Sequence, residues 1–192
     1  MKIQLGPMTL RTIETERLVL RDWNEEDLEP FALLNSDRET MRHFPSTLSR
    51  AESDAMVQRI RTHIEARGYG LWAVAMRDSG KFIGFTGLMT PSFEASFMPC
   101  VEIGWRFARH AWGEGYATEA ARAALTFGFE ILSLEEIVSF TASCNTRSIR
   151  VMQRLGMRTD PNENFDHPRL PEGHPLRRHV LYRIKRAEIG EA

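Results

Sequence analysis

The chain has 192 residues and a formal net charge of −1, with 42% hydrophobic and 27% charged residues. This length and composition suit one domain with a sizeable core and exclude wholesale disorder. The near-neutral charge argues against a protein that coats nucleic acid. No apolar run approaches the ~20 residues that span a bilayer, and the first residues carry no apolar signal core, so we expect a cytoplasmic protein with no membrane contact.

Two cysteines, Cys100 and Cys144, are present in the chain. Their number and spacing match neither a disulfide framework nor a zinc motif. We expect free thiols, buried or half-buried, in a reducing compartment. Neither cysteine has a neighbouring base in a motif, which disfavours a covalent cysteine intermediate in any chemistry that the protein performs.

The first half of the chain predicts an N-terminal arm, a strand, two helices with a short turn between them, and a hairpin. Period-two alternation indicates the strands, and apolar residues three and four apart indicate the helices. Asn24 and Ser49 are the expected N-caps, and Gly68 is the expected stop of the second helix. The expected ranges are 1–14 (arm), 15–21 (strand), 24–34 (helix), 37–43 (short helix or turn), 49–67 (helix), 71–76 and 82–88 (hairpin).

The second half predicts a strand, a helix, a strand, a helix and a last strand. An irregular loop over 90–99 precedes the first of these strands, and a loop rich in proline and histidine over 160–175 precedes the last. The expected ranges are 101–107 (strand), 118 onward (alanine-rich helix), 137–141 (strand), 145–155 (helix closed by Gly156) and 179–184 (strand). Strands and helices mixed in this way indicate one α/β domain.

Two glycines, Gly113 and Gly115, lie between the strand over 101–107 and the following helix. A turn without Cβ atoms at a helix start lets backbone N–H groups point at one anion, which we expect to be a phosphate. The dinucleotide fingerprint G-x-G-x-x-G fits this loop poorly. Its third glycine position is Thr118, and the loop does not follow its strand directly.

The string Trp112-Gly113-Glu114-Gly115-Tyr116-Ala117-Thr118-Glu119-Ala120 resembles the pyrophosphate loop Q/R-x-x-G-x-G/A of the GNAT superfamily of acyl-CoA N-acyltransferases. Trp112 stands at the Q/R place. Three further segments resemble the branch that contains the ribosomal-protein N-terminal acetyltransferases: 15–21, Glu102-Ile103-Gly104-Trp105, and Asn145-x-x-Ser148 with Leu155-Gly156-Met157. The resemblance implies one GNAT-like domain over 1–192. Its central sheet is a mostly antiparallel, twisted sheet of about six to seven strands, flanked by helices and splayed at the central strands.

The resemblance also implies the catalytic groups. Glu102 alternates with Val101 and Ile103 on its strand, so it faces a cleft if those two face the core. In the family an acidic residue here takes the proton of the amine, commonly through a water. The family often places a tyrosine in the closing helix to protonate the leaving thiolate, but Met152 occupies that place here. We therefore expect Ser148 or water to serve instead; the alternative for Ser148 is a residue that only satisfies the helix start.

For the cofactor, the resemblance implies that acetyl-CoA lies along Trp105, Arg106 and Phe107, with its pyrophosphate on the loop Trp112, Gly113, Glu114, Gly115, Tyr116 and Ala117. Asn145 either contacts the pantetheine arm or simply caps its helix. Arg109, Arg147 and Arg150 add positive charge near the phosphates or lie on a solvated face. We expect no metal, because the spacing of His167, His174 and His179 matches no zinc pattern.

The loop that carries these histidines is expected to cover one side of an acceptor cleft. Trp23, Phe44, Trp72 and Phe93 either line that cleft or pack in the core. The resulting interpretation is an acetyl-CoA-dependent N-acetyltransferase that acts by direct transfer to a primary amine, with the N-terminal amine of a protein, a ribosomal protein included, as the favoured acceptor.

Small amines, amino acids or antibiotics are the alternative acceptors. A non-catalytic acyl-CoA-binding sensor is the alternative from a different class, and a nucleotide-binding oxidoreductase is a distant third. Exposed apolar residues in the arm and the last strand leave room for a homodimer.

Overall fold

The computed structural model of the chain describes residues 11–188. Its strands form one open sheet in the order β1-β2-β3-β4-β5-β6-β9-β7, with β8 also paired to β9. Every pair is antiparallel except β5 with β6, which is parallel. The strands are β1 (Ile13–Glu14), β2 (Leu18–Arg21), β3 (Leu71–Met76), β4 (Phe82–Met89), β5 (Glu102–Phe107), β6 (Glu136–Ala142), β7 (Arg158–Thr159), β8 (Phe165–Asp166) and β9 (Arg178–Lys185).

Four α-helices accompany the sheet in the described part of the chain: α1 (Leu28–Ser36), α2 (Arg50–Arg67), α3 (Tyr116–Glu130) and α4 (Thr146–Arg154). The predicted caps of α2 are confirmed, whereas Asn24 precedes a 3₁₀ turn over Glu25–Asp27 and α1 begins only at Leu28. The Ser49 side chain accepts a hydrogen bond from the Glu52 N–H, and Gly68 ends α2 with a left-handed φ of 73°. The segment 37–43, expected as a short helix or turn, consists of turns.

The helices cover both faces of the sheet. On one face Phe85 of β4 packs against Phe31 of α1, with ring centroids 5.8 Å apart. Trp23 joins this cluster, 4.8 Å from Phe31. On the other face Trp72 of β3 packs edge-to-face on Phe127 of α3 at 5.1 Å. Trp23 and Trp72 are therefore core residues and do not line a cleft.

The predicted splay lies between β5 and β6. These strands pair only where Glu102 meets Val138, and the Val138 N–H donates to the Val101 carbonyl at 2.9 Å. Beyond that point they separate. Since the Ala108 N–H donates to Ile83 of β4, strand alternation directs the Trp105 N–H and C=O the other way, into the gap. The sheet thus opens at its centre.

The number of strands differs from the predicted six to seven only through three two-residue strands, β1, β7 and β8. Of the predicted arm, residues 1–10 lie outside the described residues, whereas Ile13 and Glu14 form the edge strand β1 beside β2. No helix within residues 11–188 is long and apolar enough to cross a membrane. Cys100 is half-buried as expected, but Cys144 is exposed, because it lies in the turn between β6 and α4.

Candidate active site

A cleft of about 860 Å³ opens where β5 and β6 separate. It gathers the predicted site residues except Glu114: Glu102, Trp105, Arg106, Phe107, Trp112, Gly113, Gly115, Tyr116, Ala117, Asn145 and Ser148. Glu114 is exposed and outside the cleft lining, and its carbonyl accepts a hydrogen bond from Arg17 Nη1 at 3.0 Å. One cavity therefore holds both the expected cofactor residues and the expected catalytic residues.

The glycine loop ends at the N-terminus of α3. Gly113 and Gly115 have left-handed φ values of 88° and 83°, which a side chain would disfavour. The first intrahelical bond runs from the Glu119 N–H to the Gly115 carbonyl, so the three preceding N–H groups of the helix have no partner within it. The Thr118 hydroxyl is buried and has no hydrogen-bond partner among residues 11–188. This end of α3 is suited to an anion.

A clamp between the first strands and α3 holds this loop in place. Arg17 and Thr15 both bond to Glu119, at 2.7 Å from Arg17 Nε and 2.6 Å from Thr15 Oγ1. The Arg17 guanidinium also lies 4.6 Å from the centre of the Tyr116 ring. Burial of Glu119 opposes its ionisation, but these donors outweigh burial and lower the pKa of its carboxyl group. Sequence reasoning missed the clamp, although its members stand inside two of the segments that carry the resemblance.

Trp112 fixes the loop to the end of β5. Its indole N–H donates to the Phe107 carbonyl at 2.8 Å, and the Arg147 guanidinium of α4 stacks on its ring at 4.2 Å. The Phe107 carbonyl is thereby occupied. Trp112, at the Q/R place of the motif, thus connects the loop to β5 and α4 through its side chain.

The wall of the cleft opposite the loop is cationic. Arg147, Arg150 and Arg154 of α4 stand at spacings of three and four residues and all line the cleft. Within the described residues none of them forms an ion pair with a carboxylate. Arg109, which the sequence also suggested, does not line the cleft.

Glu102 lies at the start of β5, half-buried in the cleft. Its Oε1 is 3.9 Å from the position that a Cβ atom would take at Gly104, so the carboxylate lies over that glycine. Burial raises the pKa of the Glu102 carboxyl group to about 8. Such a group holds a proton at neutral pH and exchanges it readily near pH 8, which is suitable for general acid–base chemistry.

Asn145 and Ser148 lie together at the start of α4. The Asn145 side chain accepts from the Ser148 N–H at 3.3 Å and donates to Ser148 Oγ at 3.1 Å and Thr141 Oγ1 at 2.9 Å. Asn145 therefore caps the helix, and both amide hydrogens have protein partners. Because Ser148 Oγ accepts from Asn145, its own hydrogen is left for another acceptor in the cleft. Met152, at the place of the family tyrosine, is fully buried in the core.

Arg106 lines the cleft with Trp105 and Phe107, but its backbone and side chain have different surroundings from theirs. Strand alternation directs its backbone towards β4, and its side chain is only 9% exposed, with the guanidinium 4.1 Å from the centre of the Phe44 ring. Phe44 itself lines the cleft from the turn segment 37–45. Arg106 consequently lines the cleft with its guanidinium packed on Phe44.

The histidine-bearing loop covers one side of the cleft. Half-buried aromatic rings cluster there, and the cleft lining includes Phe140, His167 and His179 from this cluster together with Arg169, Leu170 and Leu176. Burial lowers the pKa of both His167 and His179, so the two rings are neutral at pH 7. Phe93 packs on His167 at 4.7 Å behind the lining. No group of three metal-binding side chains occurs anywhere in residues 11–188.

Cys144 has a basic neighbour that the sequence did not reveal. His43 Nδ1 lies 3.6 Å from Cys144 Sγ, and Arg42 Nε donates to the other ring nitrogen of His43 at 3.0 Å. The expectation that neither cysteine has a nearby base is therefore wrong in space, because 101 residues separate the pair in the chain. His43 lines the cleft, whereas Cys144 does not.

Comparison with known proteins gives consistent results. The model of the acetyltransferase (GNAT) domain family matches residues 17–158. YkkB, an uncharacterized protein of Bacillus subtilis, is 31% identical over 144 residues, which are 74% of this chain and 83% of YkkB. A GNAT-family acetyltransferase structure from Bacillus anthracis is 26% identical with a TM-score of 0.76, covering 93% of this chain and 100% of that one. A spermidine N-acetyltransferase from Vibrio cholerae, solved with CoA and spermine, shares the fold at 19% identity and a TM-score of 0.71, covering 91% and 98%.

Proposed function

The chain belongs to the GNAT acetyltransferase family and is an acyltransferase. From that premise we propose that it transfers the acetyl group of acetyl-CoA directly to a primary amine. Glu102 acts as general base, and Ser148 donates a hydrogen bond to the leaving sulfur. The observation that carries this proposal is the cleft itself. It runs from the free N-terminus of α3 to a carboxyl group whose pKa burial raises to about 8.

The residues at the glycine loop fit acetyl-CoA. Three free N–H groups, the unpartnered Thr118 hydroxyl and the facing arginines of α4 supply donors and positive charge for a pyrophosphate. The free Trp105 N–H and C=O in the gap are suited to pair with the amides of a pantetheine arm. When bound, this co-substrate supplies the activated acetyl thioester.

Glu102 acts on the amine. Lysine-type amines have a pKa of about 10.4 and α-amines of about 8, so the nucleophile has to lose a proton near neutral pH. The ionised form of Glu102, whose fraction grows as pH rises towards 8, takes that proton through a water molecule, and the acetyl group moves from sulfur to nitrogen. The Ser148 O–H donates to the sulfur as charge develops there. Because Cys144 lies outside the cleft lining, the transfer needs no cysteine intermediate.

The motif segments favour a protein N-terminal amine, a ribosomal protein included, as the acceptor, and small amines are the second candidate. A binding-only role is weaker, since a sensor has no need of a buried carboxyl group with a raised pKa at the end of the cofactor channel. The proposed reaction is the same for a monomer and for a homodimer.

Thermal unfolding with acetyl-CoA, CoA or NAD tests the cofactor. A ligand at ~100 times its Kd adds about 2.7 kcal/mol of stability, which raises Tm by roughly 5–10 °C in a domain of this size. We expect a shift with acetyl-CoA and CoA and none with NAD. Thiol release against a panel of peptides and small amines then tests catalysis. Stabilisation by CoA without turnover of any amine would leave a sensor, and no stabilisation would refute the proposal.

A further inference from the structure

Arg106 is a buried cation in the cleft lining, and no carboxylate among residues 11–188 forms an ion pair with it. Its Nη1 donates to the Oδ1 of Asn35, which is a neutral amide. Its Nε is buried without any hydrogen-bond partner among residues 11–188. Burial lowers the pKa of Arg106 only to about 10, so the group remains charged at neutral pH.

The surroundings of this guanidinium are apolar. It lies 4.1 Å from the centre of the Phe44 ring and 5.4 Å from that of Phe85. A buried charge is costly unless it is paired, and rings and an amide compensate it only in part. The unpartnered N–H of Arg106 Nε is thus suited to an anion that arrives with a ligand.

Charge in the rest of the cleft points the same way. Its described lining includes six arginines and two glutamates, and Glu39 is already paired with Arg42 at 2.8 Å. A polycation would meet repulsion from these arginines, and Glu102, which holds a proton at neutral pH, offers little attraction to offset it. A ligand that carries negative charge beside its amine would meet attraction.

From these observations we propose that the acceptor is a primary amine that carries a carboxylate several bonds away, and that Arg106 binds this carboxylate. The inference rests on the proposed acetyl transfer and names its substrate class. Glu102 and Arg106 share one face of β5, and the Glu102 carboxylate lies over Gly104. From Gly104 to Arg106 the strand rises by about 7 Å. An amine near Glu102 and a carboxylate near Arg106 are therefore separated by more than an α-amino acid provides.

Matched acceptors test the proposal. The wild-type protein should acetylate 4-aminobutyrate, 5-aminovalerate and 6-aminohexanoate with kcat/KM about 10- to 100-fold above the corresponding amides, as expected for a hydrogen-bonded charge pair. The acid and amide of the six-carbon pair differ little in amine basicity, so their ratio reports on the carboxylate. Glycine should be a poor acceptor because its groups are too close together.

Three variants assign the effect to Arg106. Arg106→Met should abolish the preference for acids over amides, chiefly through the KM of the acceptor, and Arg106→Lys should retain part of it. Asn35→Asp should also reduce it, because an aspartate at position 35 would supply the missing counter-ion while Ser53, now the partner of Asn35 Nδ2 at 2.8 Å, donates its hydroxyl hydrogen instead. A preference that survives in Arg106→Met, or amides that equal acids in the wild type, would overturn the proposal and leave acetyl transfer intact.

A binding measurement separates this proposal from the proposed function. Calorimetric titration of 6-aminohexanoate into the CoA-saturated protein requires no turnover. Binding to the wild type that weakens about tenfold or more in Arg106→Met supports the carboxylate site. Equal binding to both proteins, or none to the wild type, refutes it, whereas failure of CoA itself to bind would refute the acetyltransferase proposal instead.

Discussion

The glycine-loop end of the cleft is built mainly from backbone groups of one continuous segment, whereas the acceptor end is built from side chains that four separate segments contribute. At the first end the donors are the three N–H groups of 116–118, and the positive charge comes from arginines of α4. At the second end Arg106, Phe44, Phe140 and His167 come from different parts of the chain. In the proposed function, the first end binds a chemical group common to all acyl-CoA molecules, and the second end selects the amine.

Because of this difference, we expect mutations at the two ends to have different effects on cofactor affinity and turnover. Backbone donors survive most substitutions, so changes at the glycine loop should alter affinity for the cofactor by moderate factors. A single side chain at the other end has no substitute, so its loss should be severe. The variants below separate the two ends by asking whether acetyl-CoA affinity or turnover responds.

The largest effect should follow from Glu102→Gln. Removing a general base costs about 10²- to 10⁴-fold in rate, and kcat should fall accordingly while the Kd of acetyl-CoA stays within about twofold. In the wild type kcat should rise with pH through about 8, the pKa of Glu102, and this rise should be absent in the variant. Steady-state kinetics between pH 6 and 9 measure both.

Glu39→Gln is the matched control, because Glu39 is a second carboxylate of the cleft lining and is paired with Arg42. Its kcat should stay within about twofold of the wild type. Comparable losses in the two variants would mean that negative charge in the cleft, rather than a base at position 102, supports turnover.

Thr118→Val should weaken acetyl-CoA by about tenfold, the typical value of a hydrogen bond to a charged group. The unliganded protein should not lose stability, since the substitution removes a buried hydroxyl that has no partner among the described residues. Titration calorimetry and the Tm of the unliganded protein check the two halves of this prediction.

Thr126→Val on the same helix is the control for Thr118. The Thr126 hydroxyl donates to the Arg122 carbonyl, away from the glycine loop, so cofactor affinity should not change. Undiminished binding in Thr118→Val would show that the backbone N–H groups hold the phosphates without this hydroxyl.

The sequence predicted the glycine-loop end well because its chemistry is local. Gly113, Gly115 and the following helix are adjacent in the chain, and an anion site at a helix start depends on little else. The helices and the six longer strands were likewise predicted, since caps and alternation are local signals, whereas the opening between β5 and β6 was expected only from the family resemblance. The single parallel pairing at Glu102 explains why the sheet opens there.

The acceptor end could not be predicted in the same way. Arg106 alternates correctly for a cleft residue, but nothing in the sequence shows that Asn35 and Phe44 surround it or that no carboxylate reaches it. The pair of His43 and Cys144 and the clamp of Arg17 on Glu119 are equally non-local. Each depends on how distant segments meet, which periodicity does not specify.

Ser148→Ala tests the junction of the two ends, where thiol and amine meet. We expect kcat to fall about fivefold to tenfold through loss of one hydrogen bond to a developing charge, with little change in the Kd of acetyl-CoA. The cap should persist because it uses Asn145 Oδ1 and the Ser148 backbone N–H. Unchanged kcat would assign the protonation of the thiolate to water.

The smallest effect concerns stability and again involves Glu102. In the unfolded chain its carboxyl group titrates near 4.5, whereas in the folded protein burial raises its pKa to about 8. Between these values the folded state binds more protons than the unfolded state, so the free energy of unfolding falls as pH rises from about 4.5 to 8.

Glu102→Gln removes this loss of stability at higher pH. The variant should match the wild type in Tm below pH 4.5 and exceed it by several degrees at pH 8, since each unit of the rise in pKa is worth about 1.4 kcal/mol and 1 kcal/mol moves Tm by roughly 2–4 °C. Melting curves at pH 4.5, 6, 7 and 8, with Glu39→Gln for comparison, measure the trend. A Tm difference that is the same at every pH would mean that Glu102 titrates in its ordinary range. The cleft would then not raise its pKa to a value suited to a general base.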